Sequence, residues 1–406
     1  MILVRLFILE HPLRKEVLMK AFNKNKLTEA AILSISLITA GNAAISGILV
    51  FMQKDLGISR QAAEFLITLS SITTIISIAL SEYITKLIGM KKCVQIGTSL
   101  VFISGLIPVI KTSYESIFLS RIILGFGVGM FNGHAANYIS ALFRGEKAAS
   151  LYGLRNSTEY IGQMLLLLLA GFLIKIKWPM AFLAYCISIF ILFFFSANVE
   201  DIRPEKREGR FYLTKQVFFY VFFAGLMIMN LTSLSVRFPT IATLAKGMDF
   251  NINAYMILLP LSGMLSGFAF GYINRSLREK TILLGLIIYI ISNLIIAFWG
   301  YNIYVFMLAM VLNATSQSMC TPYLFAEASR FARGSQNRII NNLIFIGCNI
   351  GGFLSPAFLM GVRKLLGSDS LTIAFVGFAI LYAILFFVYL YENIKLDRSS
   401  VIKDSK

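Results

Sequence analysis

The chain has 406 residues, 57% of them hydrophobic and only 14% charged, a balance that excludes an ordinary soluble globular fold. Twelve helices of about 20 to 24 residues, each long enough to cross roughly 30 Å of hydrocarbon, would use about 240 to 290 residues and leave no room for a separate catalytic domain of about 100. The net charge of +17 comes from basic residues between the apolar runs, which excludes nucleic acid and makes the lipid bilayer the expected partner.

Residues 1–27 mix Leu, Ile and Phe with Arg5, Arg14, Lys15, Lys20, Lys24 and Lys26. This pattern predicts a basic amphipathic segment on the inner membrane surface, not a cleavable signal peptide. Charge-free runs then predict six spans in a first bundle, residues 28–199: Ala30–Gln53, Phe65–Ser81, Cys93–Ile110, Ile122–Phe143, Tyr160–Ile174 and Trp178–Val199. Residues 200–216, with Arg203, Glu205, Lys206, Arg207, Glu208 and Arg210, read as a cytoplasmic linker. A second bundle, 217–394, holds Val217–Val236, Asn251–Asn274, Thr281–Ala326, Ile339–Val362 and Leu371–Tyr391. Thr281–Ala326 is too long for one span, and Gly300-Tyr301-Asn302 supplies a turn at its midpoint. Residues 395–406 form a tail.

Basic residues outside the spans concentrate in alternate loops. Only Lys54, Arg60, Lys111, Lys175, Lys177, Lys246, Arg363 and Lys364 fall in the opposite set, so both termini are expected inside. Lys92-Cys93-Val94-Gln95-Ile96-Gly97 is echoed by Lys280-Thr281-Ile282-Leu283-Leu284-Gly285. Such a repeat predicts an all-α membrane protein of two pseudo-symmetric six-helix bundles. Cys93, Cys186, Cys320 and Cys348 lie far apart in apolar runs and read as packing residues, with no disulfide framework, metal site or cofactor expected.

Local motifs sharpen this. Between spans two and three, Lys86-Leu87-Ile88-Gly89-Met90-Lys91-Lys92 resembles the Asp-Arg-x-Gly-Arg-Arg/Lys loop of the major facilitator superfamily; Gly89, Lys91 and Lys92 fit and Lys86 replaces the acid. Arg121-Ile122-Ile123-Leu124-Gly125-Phe126-Gly127-Val128-Gly129 resembles the family's span-four motif. In span five Gly153 and Gly162 match the antiporter pattern, while Leu166-Leu167 and Ala170-Gly171 replace its Gly-Pro and Gly-Gly. The resemblance covers nearly the whole chain. It implies a twelve-helix alternating-access transporter of a small-molecule substrate, with a cavity lined by spans one, four, seven and ten.

Polar residues within spans are the candidates for its site, because unpaired polar groups are costly in lipid. Arg121 faces a cavity by default, and at 100° per residue Gly125 and Asn132 share its face. His134 falls on the other side and reads as a helix-packing residue. Asn42 in span one, Asn230 and Arg237 in span seven, Asn313 and Gln317 in span ten, and Asn342 and Asn349 in span eleven complete a predicted substrate cavity. Interhelical hydrogen bonding is the competing explanation for each amide, snorkelling to the outer headgroups or bonding to helix carbonyls the competing one for Arg121, and a headgroup anchor or outer gate the competing one for Arg237. An Arg155–Glu159 pair one turn apart predicts an inner clamp, with Glu159 the alternative as proton carrier. Glu82 joins this inner charge cluster, and Gly89, Lys91 and Lys92 complete the gating set.

The combined expectation is a monomeric, proton-linked exporter of amphipathic compounds in a bacterial cytoplasmic membrane. Uptake of an organic anion on Arg121 and Arg237 is the alternative, and a non-transporting sensor or scaffold the rival of another class. A membrane enzyme is excluded, since no paired-carboxylate or His-cluster motif appears.

Overall fold

A computed structural model describes residues 26–39, 41, 45–143, 145–202, 215–277, 280–330 and 336–404. The predicted N-terminal amphipathic segment and most of the linker lie outside them. Among the described residues nine helices are long and apolar enough to cross a membrane, and Phe375–Leu390 is a shorter apolar helix. Apolar faces are buried against neighbouring helices, while Phe172, Phe190, Phe193, Phe268 and Phe387 point outward, the pattern of a bundle solvated by lipid.

Span one is described in two pieces, a helix over 26–34 running into a 3-10 turn at Ile35–Ile38, and a 3-10 turn at Ser46–Ile48 leading into Leu49–Leu56. Span two, Arg60–Ile88, starts with Ser59 accepting a hydrogen bond from Ala62 N, a side-chain N-cap. Span three is Met90–Ile110 and span five Gly145–Leu173. Span four breaks into Tyr114–Phe131 and His134–Leu142, with a turn at Asn132-Gly133. Span six is a 3-10 segment, Trp178–Cys186, continued by Ile187–Asn198. Spans seven to twelve follow as Lys215–Lys246, Ile252–Met256 with Leu258–Leu277, Lys280–Trp299, Ile303–Arg330, Gln336–Leu365 and Phe375–Asp404. The predicted turn falls at Gly300–Asn302, where Asn302 Oδ1 accepts from Tyr304 N at 3.0 Å.

Several helices overrun their charge-free cores because charged residues lie within them: Glu64 in span two, Arg121 in span four, Arg237 in span seven. All three are buried.

Small residues set the packing. A Cβ on Gly97 would come within 2.6 Å of Gly127 O, and one on Gly127 within 2.7 Å of Gly97 O, so spans three and four touch backbone to backbone. The second half repeats the contact between spans nine and ten, where Gly285 meets Cys320 and its carbonyl accepts from Ser316 Oγ. Gly162 of span five sits on the backbone of Leu37 in span one; Gly347 and Gly351 of span eleven sit on Val221 and Gly225 of span seven. Matching contacts in the two halves are the three-dimensional form of the sequence echo.

Spans two and four make the closest pair in the first bundle. Thr74 Oγ1 donates to Gly125 O at 3.1 Å and Ser77 Oγ to Phe126 O at 2.7 Å. A Cβ on Gly125 would overlap Thr73 Oγ1 and the carbonyl of Ser70. Because a carbonyl in a continuous helix cannot step aside, Gly125→Val is expected to cost at least the 1–3 kcal/mol typical of overpacking. A thermal melt of the detergent-purified variant should show a Tm lowered by several degrees, or too little folded protein to measure; an unchanged melt would mean the contact is looser than described.

Taking the orientation from the basic loops, the two bundles meet from the outer surface to about mid-depth. Phe65 of span two packs edge-on against Phe353 of span eleven, with centroids 6.1 Å apart. Tyr160 Oη of span five lies 3.4 Å from Ser318 Oγ of span ten and packs on Gly263 of span eight.

Candidate functional site

The outer contact is sealed by charge. Arg237 Nη1 donates to Glu64 Oε1, joining span seven to span two across the bundle boundary. Glu64 is 1% exposed and Arg237 2%. Arg60 Nε, one turn before Glu64, lies 3.6 Å from the same oxygen. A charge pair so enclosed is held by its partners, since loss of either leaves the other uncompensated. Arg237 is thus paired across the bundle boundary, and its acid comes from span two.

Beside it, Asn253 at the start of span eight fills a socket between the bundles. A Cβ on Gly47 of span one would overlap Asn253 Oδ1, and one on Gly171 of span five would lie 3.0 Å from Asn253 Cβ. Asn253 is 2% exposed, and among the described residues neither its Oδ1 nor its Nδ2 has a hydrogen-bond partner. Only small residues at 47 and 171 let the side chain seat. Nearby, Trp178 Nε1 donates to Asp55 Oδ2 at 2.9 Å, fastening the end of span one to span six.

Below these contacts a cleft opens between spans two, four and eleven. Ile78, Ser81, Gly129, Asn132, Gly133, His134, Asn137, Asn342 and Phe345 line a narrow space of about 10 Å³, room for about one water. Ten residues before the inner end of span four, Asn132 is about 15 Å deep. The turn at Asn132-Gly133 interrupts the helix here, and irregular backbone at membrane depth is tolerated where it borders a cavity. The structure thereby brings together Asn132 and Asn342, two of the predicted cavity residues from different bundles. Asn137 joins them and was not anticipated.

His134 also borders the cleft while packing on span two. Its Nε2 is 3.0 Å from Thr85 Oγ1. The Thr85 hydroxyl donates to Ser81 O at 2.6 Å, so the imidazole nitrogen is the donor to Thr85.

Other predicted cavity residues lie elsewhere. Arg121 is fully buried inside the first bundle, with Nη1 donating to Tyr185 Oη at 3.1 Å and its guanidinium 5.0 Å from the Phe182 ring centroid. Tyr185 Oη in turn donates to Gly41 O at 2.8 Å, so the chain of contacts runs from span four through span six to span one. Two aromatic faces compensate the cation, while its Nε and Nη2 have no partner among the described residues. Gly125 faces span two, not a cavity. The face shared by Arg121, Gly125 and Asn132 on a helical wheel is therefore divided: neighbouring helices cross it at different heights, and the helix breaks at its lower end.

Asn230 and Asn313 are spent within the second bundle. Asn313 Nδ2 donates to Asn230 Oδ1, Asn230 Nδ2 to Asn293 Oδ1 at 2.6 Å, and Asn293 Nδ2 to Tyr289 O at 2.8 Å. Their role is the interhelical one. Asn349 donates to Phe345 O of its own helix at 2.8 Å. Gln317 is half-buried on span ten and absent from the cleft lining. Asn42 and the side chain of Glu82 lie outside the described residues.

At the inner end, Arg155 Nη2 lies 3.8 Å from Glu159 Oε2, one turn along span five. Gly89 takes φ +89° and caps span three, where a Cβ would collide with Asp201. Asp201 Oδ1 accepts from Lys91 N at 3.0 Å, a carboxylate at a helix N-terminus. The acid missing at Lys86 is thus supplied to the loop from just beyond span six. Lys92 is exposed.

Charge-free runs do not disclose the Glu64 partnership, because Glu64 immediately precedes the run that begins at Phe65. An available signal was Arg237 itself: a cation that far inside a span, without an acid on its own helix, requires one from another.

Comparison with known proteins places this geometry. The family model for the Major Facilitator Superfamily matches residues 31–356. Among curated proteins none matches significantly. Solved structures share the fold at low identity. The peptide transporter POT in complex with sulfate is 12% identical with a TM-score of 0.75, over 92% of this chain and 95% of that one. The inward-open xylose transporter XylE from E. coli is 16% identical with a TM-score of 0.72, over 90% and 96%. A D-xylose-proton symporter is 17% identical with a TM-score of 0.67, over 89% and 97%. With a family model covering most of its length and the expected fold around a cross-bundle cleft, this chain belongs to the major facilitator superfamily, a non-enzymatic, multi-pass membrane transporter.

Proposed function

We propose that the protein moves a small organic solute by proton-linked alternating access, with Glu64 and Arg237 as the outer latch and the Asn132–Asn342 cleft as the solute site. The observation that carries this is the buried Glu64–Arg237 pair, one charge from each bundle. Glu64 is the only acidic residue among the described ones that is buried. Arg60, Arg237 and Arg363 are the cations that act on it. Protonating Glu64 removes the charge that Arg237 faces, weakens the closed outer contact and favours opening to the outside. Glu159, half-buried and paired at the inner end, is the second candidate for coupling. Both bundles of the pathway lie in one chain, so a monomer suffices. The basic inner loops favour a bacterial cytoplasmic membrane with both termini inside.

Amphipathic compounds suit a lining in which Ile78, Gly129, Gly133 and Phe345 alternate with Ser81, Asn132, His134, Asn137 and Asn342. One sequence-based expectation loses support. Anion uptake called for free cations in the cavity, whereas Arg237 is neutralised and Arg121 lies inside the first bundle. Export remains the direction to test, by antiport against an inward proton gradient.

The test is proton movement in proteoliposomes under an imposed pH gradient, followed with a trapped pH dye while solutes are added. Solute-dependent proton flux is expected for the parent chain and its loss in Glu64→Gln. Solute transport with no proton movement, or an unaltered flux in Glu64→Gln, would contradict the latch as coupling element.

A further inference from the structure

Spans five and eight come together at one aromatic ring. Tyr160 packs on Gly263, where a Cβ would lie 2.8 Å from its Cε1, and its Oη lies 3.4 Å from Ser318 Oγ. Ser318 Oγ already donates to Gly263 O at 2.8 Å, so Tyr160 is the donor in that pair, and the notch that receives it ties span eight to span ten. Outward of the ring the helices touch: Gly171, about 16 Å further along span five, sits against Asn253. Inward of it they part. Gly153, about 10 Å toward the inner end, and Gly267, one turn inward of Gly263, are both exposed, and a Cβ on either would meet no described atom within 4 Å. We infer that Tyr160 is the fulcrum on which spans five and eight rock, and that the bare faces of Gly153 and Gly267 meet when the outer side opens.

Helix geometry puts these positions on one line. At 100° per residue Gly153 and Gly171 each fall about 20° from Tyr160, and Gly267 about 40° from Gly263, so the open glycines continue the faces that touch at the ring. The outward-pointing Leu154 and Phe268 lie about 120° and 140° round from Tyr160 and Gly263, on the lipid side. Two stiff helices that touch above a point and part below it reverse that arrangement by turning about the point. The contact at Tyr160 suits such rolling: a ring on a bare Cα is held by dispersion, which has no preferred direction, and by one hydrogen bond at its tip. Glycine at 153 and 267 then allows the inner halves the close approach that Gly47 and Gly171 allow around Asn253 in the outer ones. Tyr160 acts through the two helices, as a positioning residue.

This inference rests on the alternating access proposed above. The experiment is labelling of Phe353→Cys from outside by a membrane-impermeant maleimide, with Gly153→Trp or Gly267→Trp added. The larger side chain has room beneath the ring, so the melting temperature should hold, but it blocks the inner closure that outer opening requires. Labelling is expected to slow at least tenfold, in the parent and in the Arg237→Ala background alike. Tyr160→Ala removes the fulcrum and should abolish this slowing, while Tyr160→Phe keeps the ring and should preserve it. Slowing that survives Tyr160→Ala would overturn the fulcrum and leave Tyr160 a packing residue. Labelling unchanged by both glycine substitutions in folded protein would overturn the inner contact, and so would failure of both to fold, since neither glycine would then border open space. If Arg237→Ala does not speed labelling, the latch proposed above falls, and slowing of the parent's basal labelling by Gly153→Trp and Gly267→Trp still supports the fulcrum.

Discussion

Replacing Arg237 with alanine is expected to hold the protein open on its outer side. The substitution leaves Glu64 buried with Arg60, 3.6 Å away, and the more distant Arg363 to answer its charge. Removing one member of a buried pair costs about 3–5 kcal/mol, and that cost falls on the closed state, because an opened gate rehydrates the carboxylate. A bias of this size changes the closed-to-open ratio by roughly two to four orders of magnitude. Labelling of Phe353→Cys by a membrane-impermeant maleimide from outside reads it directly, since Phe353 is covered by Phe65 when the bundles meet. Slow labelling in the parent and rapid labelling in the Arg237→Ala background is the expected result. Exchanging the two charges, Glu64→Arg with Arg237→Glu, should restore protection only in part, because Arg60 would then face a cation at position 64. Full restoration would mean that Arg60 contributes nothing to the latch.

The second large effect is steric. In Gly47→Val the new side chain begins where Asn253 Oδ1 now lies, while Asn253 is backed by Gly171 and cannot retreat. The outer half of span one should then stand off span eight, so that transport falls at least tenfold while the inner half of the fold is undisturbed. Asn253→Ala empties the socket and is expected to rescue Gly47→Val. Because the amide of Asn253 has no partner to lose, Asn253→Ala alone should be tolerated. A Gly47→Val defect that Asn253→Ala fails to relieve would place the damage somewhere other than the gate. The unsatisfied amide also explains how a closed contact can remain easy to reopen: its burial is unfavourable, and opening returns it to water.

These residues mark the border between what the sequence discloses and what it withholds. Long apolar runs announce spans because lipid leaves the backbone no alternative to the helix, and Gly300-Tyr301-Asn302 announces its turn. Reading spans as charge-free runs fails where a charge is buried by a partner, so the run from Phe65 leaves Glu64 outside span two and Arg237 without its acid. A helical wheel orders residues around one helix but says nothing of which neighbour crosses at each height. Gly125 therefore turned out to pack on Ser70, and Asn230 and Asn313 to bond each other and not a solute. The loop motif with Lys86 in its acidic place looked incomplete. Its acid is Asp201, more than a hundred residues along the chain, where no local pattern reaches. Asn132 and Asn342 were legible as polar residues in spans; that they border one space between the two bundles was not.

The central claim is that the bundles rock about the cleft, the outer side closing as the inner side opens. Two spin-label distances measure it most directly: one between Gln61 and Lys246 at the outer ends of spans two and seven, one between Ser150 and Tyr272 near the inner ends of spans five and eight. All four side chains are exposed. Acidification, or Glu64→Gln at neutral pH, should lengthen the outer distance and shorten the inner one together. Two distances that stay fixed, or that grow in parallel, would contradict alternating access governed by the Glu64–Arg237 latch.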